Sequence, residues 1–284
     1  MVAMKHTLTA RERELSERIA HIGAVVVAYS GGVDSTYLAS VCHRVLGKRA
    51  LAVTAVSPSL SRRERRDAEA LAAREGWNHM TVETHEVGRD EYARNGSDRC
   101  YWCKKELFDV LAPIASARAA RIAVGTNLDD LSDHRPGRRA ARENDVLTPL
   151  ADAGLSKADI RELAGIHNLP IADKPASPCL ASRFAYGVRV TPEGLERVDE
   201  AEEVLRGLRF GALRVRDHGD LARIEVEPDE IERASGLGAE IAVALRALGF
   251  KYVTLDLEGF RSGSLNEVLL QPTFAPRLGS SSSR

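Results

Sequence analysis

Apolar positions follow two kinds of pattern along the chain, and the change between them comes near residue 188. Ala24 to Ala28 is an unbroken apolar run, too short for a helix and suited to a strand covered on both faces. Arg49 to Val56 reads as a second buried strand, His79 to Val87 as a third and Arg121 to Gly125 as a fourth. Between these runs the apolar spacing turns helical. One helix follows the turn at Ser30 to Ser35 and runs to Leu46. A second runs from Ser61, which has capping-box spacing to Glu64, to Gly76, and a third covers Asp98 to Ala119. Leu155 to Ile166 is a further helix, and Pro170 to Ser177 is a loop or short edge strand. Strands alternating with helices predict an α/β fold with a doubly wound, mainly parallel sheet.

Beyond residue 188 the pattern changes. Thr191-Pro192 has the form of an N-cap followed by proline at the first helical position, and Leu195, Val198, Ala201, Leu205 and Leu208 then share one helical face. Leu213 and Val215 alternate with Arg214 and Arg216. Asp217 to Asp220 supplies a turn, and Ala222, Ile224 and Val226 alternate with Arg223, Glu225 and Glu227. That is a hairpin with one apolar and one highly charged face. A helix over Pro228 to Leu248 and a strand over Tyr252 to Leu257 complete a smaller α+β domain. The expected division is residues 1–187, 188–270 and a flexible tail 271–284 that ends in a serine run.

Composition narrows the class. Across 284 residues, 44% hydrophobic and 29% charged residues fit a folded globular chain rather than a disordered one. Forty Lys and Arg against 41 Asp and Glu give a net charge of −1, which does not suggest a broad nucleic-acid surface. No apolar run approaches the roughly 20 residues of a membrane span, and the charged N-terminus has no secretory h-region. A cytoplasmic protein is expected, with no membrane and no nucleic-acid partner. Its four cysteines are then reduced thiols rather than a disulfide framework. Cys42, in an apolar helical stretch, reads as a packed core residue. Cys100 and Cys103 form a C-x-x-C pair, and Cys179 stands alone after a proline-rich loop.

The hexapeptide Ser30-Gly31-Gly32-Val33-Asp34-Ser35 joins a buried strand to a helix. Its backbone N–H groups and the helix N-terminus can converge on an anion, and two glycines let backbone approach phosphate closely. Ser30 and Ser35 add hydroxyl groups. No lysine of the G-x-x-x-x-G-K-[ST] kind is present, which disfavours an ordinary γ-phosphate-transferring loop. An unremarkable strand-to-helix turn is the plain alternative. A second block, Gly125-Thr126-Asn127-Leu128-Asp129-Asp130, follows the fourth strand, with Asp133 and Arg135-Pro136-Gly137 after it. Its carboxylates suit Mg²⁺, although an Asp-Asp pair alone is more often a solvated turn.

The hexapeptide resembles the pyrophosphate loop of the ATP-pyrophosphatase (PP-loop) superfamily. Those enzymes bind ATP, activate an acceptor oxygen as an adenylate and release pyrophosphate. The resemblance implies an adenine nucleotide alpha hydrolase-like domain with Ser30, Gly31, Gly32, Asp34, Ser35, Gly125, Thr126, Asn127 and Asp130 around ATP and Mg²⁺. It places adenine near Ala52 to Ser57, at the carboxyl edge of the sheet. Four further segments resemble the LarE family: Arg99 to Phe108, Lys174 to Arg183, Leu213 to Gly219 and Leu257 to Ser264. With the loop they cover roughly residues 20 to 268.

Membership of that family implies an ATP-dependent sulfur transferase that matures the nickel-pincer cofactor of lactate racemase. A carboxylate of pyridinium-3,5-biscarboxylic acid mononucleotide is adenylated, and sulfur then replaces AMP to leave a thiocarboxylate. Arg214 and Arg216 would hold the substrate phosphate, although charges alternating along a strand are usually a solvated face. The resemblance also implies a homo-oligomer, commonly a hexamer. Sulfide or a sulfur donor is the further partner. Members with only the cysteine matching Cys179 give up its sulfur. The presence of Cys100, Cys103 and Cys179 together resembles members in which three thiolates hold a [4Fe-4S] cluster. Sacrifice of Cys179 and a structural zinc are the alternatives.

Other classes remain to be separated. An amidating synthetase commonly carries or recruits a glutaminase, and no obvious extra domain fits within 284 residues. A tRNA-thiolating enzyme would be expected to carry a wide basic surface. A nucleotide-binding protein without chemistry would bind ATP and release no pyrophosphate.

Overall fold

A computed structural model describes residues 2–131, 136–175 and 177–261. Two compact units result, the first ending at Asp199 and the second beginning at Glu200.

In chain order the first unit holds α1 (Val2–Ile22), β1 (Val25–Ala28), α2 (Val33–Leu46), β2 (Ala50–Val56), α3 (Arg62–Arg74) and β3 (His79–Glu83). There follow α4 (Asp90–Ala93), α5 (Arg99–Ala117), β4 (Arg121–Val124), α6 (Pro136–Glu143), α7 (Pro149–Asp152) and α8 (Lys157–Ile166). Among the described residues the strands form one parallel sheet in the order β3-β2-β1-β4. Val26 of β1 stands beside Leu51 on one side and Ile122 on the other. The apolar run of β1 is unbroken because both faces are covered. Val25 and Val27 join Ala50 and Ala52 under Leu15, Ile19, Leu38 and Leu163 from α1, α2 and α8. Val26 joins Leu51 and Val53 under Leu107, Phe108 and Leu111 of α5. Alternate side chains of one strand thus feed two helical layers, as period-2 geometry requires. The α/β doubly wound architecture is that expected from the sequence.

Helix α9 (Pro192–Gly207) opens where the proline-at-N1 pattern places a helix. The boundary between units falls inside it, because Leu195 and Val198 pack with Leu180 and Phe184 while Ala201 and Leu205 pack with Leu213 and Ile224. The second unit contains β5 (Leu213–Asp217) antiparallel to β6 (Leu221–Val226), with β7 (Tyr252–Leu255) parallel to β6. The single helix expected over Pro228 to Leu248 is instead two, α10 (Ile231–Gly236) and α11 (Gly238–Ala247). Leu237 between them has φ −91° and ψ 8°, off the helical basin, and glycine on each side weakens the helix there. The expected tail 271–284 lies outside the described residues. Among the described residues no helix is long and apolar enough to cross a membrane.

The order 3-2-1-4 places a topological switch point between β1 and β4, where connections leave in opposite directions and a crevice opens at the carboxyl edge. Gly125, one residue past β4, lies so close to the β1–α2 turn that a Cβ on it would stand 2.7 Å from the Ser35 nitrogen. Gly125→Ala is therefore expected to lower the unfolding free energy by about 1–3 kcal/mol. Urea denaturation measures this, and an unshifted midpoint would show that the turn yields freely.

Candidate active site

The turn between β1 and α2 is built for backbone to face a ligand. Gly31 has φ +72°, and a Cβ there would meet that of Ala68 in α3 at 2.9 Å, so both conformation and space call for glycine. Ser35 Oγ donates to Gly32 O (3.1 Å) and accepts from Ser30 N–H (3.2 Å); it lies 3.0 Å from Ser30 Oγ. Because its one proton is committed to Gly32, Ser30 is the donor in the hydroxyl pair. N–H groups in the first turn of a helix have no intrahelical acceptor, so α2 presents donors at the same point.

The second wall comes from the segment after β4. Asn127 is buried; its N–H donates to Asp130 Oδ2 and Asp130 N–H returns to Asn127 Oδ1, each at 3.1 Å. This reciprocal pair turns the chain back toward α2, where Asn127 Nδ2 reaches Asp34 Oδ1 at 3.4 Å. Ser30, Gly31, Gly32, Asp34, Ser35, Gly125, Thr126, Asn127 and Asp130 thus lie at one end of the sheet, on the ends of β1 and β4 and the turns after them. Asp133 and Arg135 lie outside the described residues.

Two lysines complete this edge, and the motif reading gave neither a role. Lys157 Nζ, from the first turn of α8, is 2.5 Å from Asp34 Oδ2, and its N–H is capped by Asp129 at 2.8 Å. Lys174 Nζ donates to Gly31 O (3.2 Å) and pairs with Glu64 at 2.6 Å. Arg161 fixes the Lys174 segment by donating to the carbonyls of Ala172 and Lys174. These lysines supply the cationic charge that the hexapeptide lacks. Chain topology, not local spacing, brings them there, from 123 and 143 residues away in sequence. A cavity of about 460 Å³ lies beside Gly31 and Lys174. A larger one, about 700 Å³, opens at the opposite edge among His43, Arg44, Trp77 and His167, where strands begin. Ligands of open parallel sheets bind at the carboxyl end, where the turn and its two lysines lie; the smaller cavity touches that end at Gly31 and Lys174 and extends along α3 to Arg74.

Among the described residues no three His, Cys, Asp or Glu side chains converge on a point suited to one metal ion. Mg²⁺ on a nucleotide is ordinarily held by one or two carboxylates together with phosphates and water. Asp34 is the carboxylate nearest the turn.

The cysteines divide as their surroundings dictate. Cys42 is sealed in the core, where burial pushes its thiol up to about 12. Cys100 and Cys103 share a face at the start of α5, one turn apart, while Cys179 immediately precedes the short 3-10 turn Leu180–Arg183. Several bonds tie these segments together. Arg99 donates to Ala181 O at 2.9 Å, and Leu180 N–H donates to Ser59 O, beyond β2, at 2.8 Å. Arg183, itself buried, donates to the carbonyls of Pro178 and Cys179. Cys103 packs on the cluster containing Leu180, Ala181 and Phe184. Burial first, and the Cys179 thiol second, raise the Cys100 thiol and push that of Cys103 up to about 12. All three sulfurs therefore feel one another, while Cys100 and Cys179 keep solvent access. Cys100, Cys103 and Cys179 are the residues that would hold a [4Fe-4S] cluster if one binds. An all-thiolate donor set is the usual one for such a cluster, and its positive charge would offset the raised pKa values.

The charged face of the β5–β6 hairpin is only partly solvated: Glu227 is exposed and Arg214 and Arg223 are half-buried, but the centre of the face is closed. Arg216 and Glu225 are buried and paired at 2.7 Å, and Arg223, opposite Arg216, donates to the other Glu225 oxygen at 3.0 Å. The Arg214 guanidinium lies 5.0 Å from the Phe260 ring centroid. Glu202, fully buried, accepts from Arg206 at 2.8 Å and from Val215 N–H at 3.3 Å. Burying this much charge is costly unless each group is paired and hydrogen-bonded, as Arg216, Glu225 and Glu202 are. Ser262 to Ser264 of the C-terminal motif lie outside the described residues.

Comparison with known proteins adds the family context. Residues 8–98 match the NAD synthase family model. Across 92% of this chain and 99% of its own length, an uncharacterised protein of Synechocystis sp. is 45% identical. The pyridinium-3,5-bisthiocarboxylic acid mononucleotide synthase of Lactiplantibacillus plantarum is 35% identical over 95% of this chain and 98% of its length. An uncharacterised protein of Methanocaldococcus jannaschii is 34% identical over 84% and 91% respectively.

Lys157→Met removes the cation beside Asp34 and leaves that carboxylate to repel a triphosphate. Affinity for a non-hydrolysable ATP analogue is expected to fall about tenfold or more by calorimetry. Unchanged affinity would place Lys157 outside the nucleotide site.

Proposed function

The chain belongs to the LarE family of PP-loop proteins, and from that premise we propose that it is an ATP-dependent sulfur transferase acting on pyridinium-3,5-biscarboxylic acid mononucleotide. The observation that carries the reading is the pairing of the phosphate-type turn with three mutually interacting thiols in one compact unit. A free carboxylate is a poor electrophile, whereas its adenylate has AMP as a good leaving group. Ser30, Gly31, Gly32 and Ser35 would hold the β- and γ-phosphates, and Asp34 with Asp130 would position Mg²⁺. Gly125, Thr126 and Asn127 would form the facing wall. Lys157 and Lys174 would move from Asp34 and Glu64 toward phosphate as negative charge arrives. The acyl carbon then takes sulfur, AMP leaves and a thiocarboxylate results.

Cys100, Cys103 and Cys179 are the ligands that would hold a [4Fe-4S] cluster. With three protein ligands such a cluster leaves one iron open, which supplies a place for inorganic sulfide. The solvent access of Cys179 favours a second reading, in which that residue gives up its own sulfur. Arg214 and Arg216 are assigned to the substrate phosphate, a role that fits paired guanidinium donors. Nickel-pincer cofactor maturation, a cytoplasmic location and a homo-oligomeric working form complete the proposal.

Pyrophosphate release that depends on the pyridinium dicarboxylate mononucleotide is the test. Release with tRNA or an amide acceptor, or none with any acceptor, would contradict the reading. Asp34→Ala is expected to slow release about a hundredfold. Cys179→Ala should release pyrophosphate without forming thiocarboxylate. After anaerobic reconstitution with iron and sulfide, a brown protein containing iron that turns over repeatedly supports the cluster. Loss of one sulfur from the protein's mass after one turnover supports sacrifice of Cys179.

A further inference from the structure

The two lysines at the phosphate-type turn are paired with carboxylates of different standing. Lys157 pairs with Asp34, which belongs to the turn itself and is the carboxylate assigned above to Mg²⁺. Asp34 gains another cation when Mg²⁺ binds, and Lys157 is then free. Lys174 pairs at 2.6 Å with Glu64, which lies outside the hexapeptide in the first turn of α3. Both side chains are only 19% exposed, and among the described residues no other side chain bonds the Glu64 carboxylate. If Lys174 moved away, a largely buried carboxylate would stand uncompensated, which is costly.

Both partners are held from outside the turn. The N–H of Glu64 donates to the N-cap Ser61 Oγ at 3.2 Å, which fixes the start of α3. The carbonyl of Lys174 accepts from Arg161 of α8 at 2.7 Å. The Lys174 ammonium spans from Glu64 to Gly31 O, 3.2 Å away, so it already stands at the turn. An ammonium has three N–H donors, and these two contacts leave one for a phosphate oxygen. Gly31 and Lys174 both border the cavity of about 460 Å³, so this side of the turn is open to solvent.

We infer that Glu64 is a positioning residue that limits how tightly the turn holds pyrophosphate, by competing with that anion for Lys174. This rests on the proposed adenylation. In that step an acceptor carboxylate oxygen attacks the α-phosphorus of ATP. The bond from that phosphorus to the oxygen bridging to the β-phosphate breaks, and the electron pair leaves on pyrophosphate. The product is a compact polyanion surrounded by donors arranged for it, so its release needs an opposing pull. Glu64 supplies that pull. As pyrophosphate departs, the carboxylate draws Lys174 back and is itself compensated again.

Glu64→Gln keeps the shape and a hydrogen-bond acceptor but removes the charge. Calorimetry of the full chain with Mg²⁺ and inorganic pyrophosphate measures the effect. The variant is expected to bind pyrophosphate about fivefold more tightly than the wild type. In a Lys174→Met background the same change should leave the affinity unmoved, because the carboxylate acts through the lysine. A merely structural role predicts the opposite sign, since a Lys174 that has lost its anchor binds pyrophosphate less well. Equal or weaker binding by Glu64→Gln, or the same gain in the absence of Lys174, would overturn the inference. The binding measurement needs no acceptor. Tighter binding by the variant, together with no release of pyrophosphate by the wild type in the presence of the pyridinium dicarboxylate, would strike the proposed substrate and leave the role of Glu64 standing.

Discussion

The close approach of two backbones at the β1–β4 switch point organises the first unit. A parallel sheet in the order 3-2-1-4 sends its connections away on both sides of that line and leaves a crevice at the carboxyl edge. The crevice is narrow because residue 125 has no side chain: any Cβ there would collide with the backbone of Asp34 and Ser35. With that contact in place, Asn127 reaches Asp34, and the segment after it carries Lys157 to the same carboxylate. Loop, facing wall and compensating cations are consequences of one steric condition.

A second constraint acts through hydrogen bonds rather than packing. The segment from Lys174 to Arg183 starts at the phosphate-type turn, where Lys174 touches Gly31 O, and then meets the loop after β2 through Leu180. Cys179 is five residues from Lys174 in this run, so their Cα atoms lie within about 18 Å even if it is fully extended. Arg99 and Arg183 hold its carbonyls, and Arg99 adjoins Cys100. The same short stretch therefore links the place where a nucleotide would be cleaved to the place where sulfur would be held.

Much of this was legible in the sequence, for identifiable reasons. The run Val25 to Ala28 announces a strand covered on both faces because burial on two sides removes polar alternation. Ser30 to Ser35 announces its turn because glycine is required at Gly31 by both φ and space. The C-x-x-C pair is readable because one helical turn brings both residues to the same face. Lys157 and Lys174 were not readable, since each reaches its neighbours through tertiary contact between distant segments. The β5–β6 hairpin misleads in a different way. Its alternation of charged and apolar residues is that of a solvated face, yet Arg216 and Glu225 are buried as a pair, a fact only packing reveals. The break at Leu237 was foreshadowed by its flanking glycines, although the apolar spacing runs through it unbroken.

The location of the nucleotide is the claim on which the chemistry rests. A crystal structure with Mg²⁺ and a non-hydrolysable ATP analogue tests it most directly. The account predicts the β- and γ-phosphates against Ser30 to Ser35, with Lys157 drawn off Asp34 and the adenine toward the end of β2. Nucleotide seated instead in the larger cavity among His43, Arg44 and Trp77, at the opposite edge of the sheet, would contradict it.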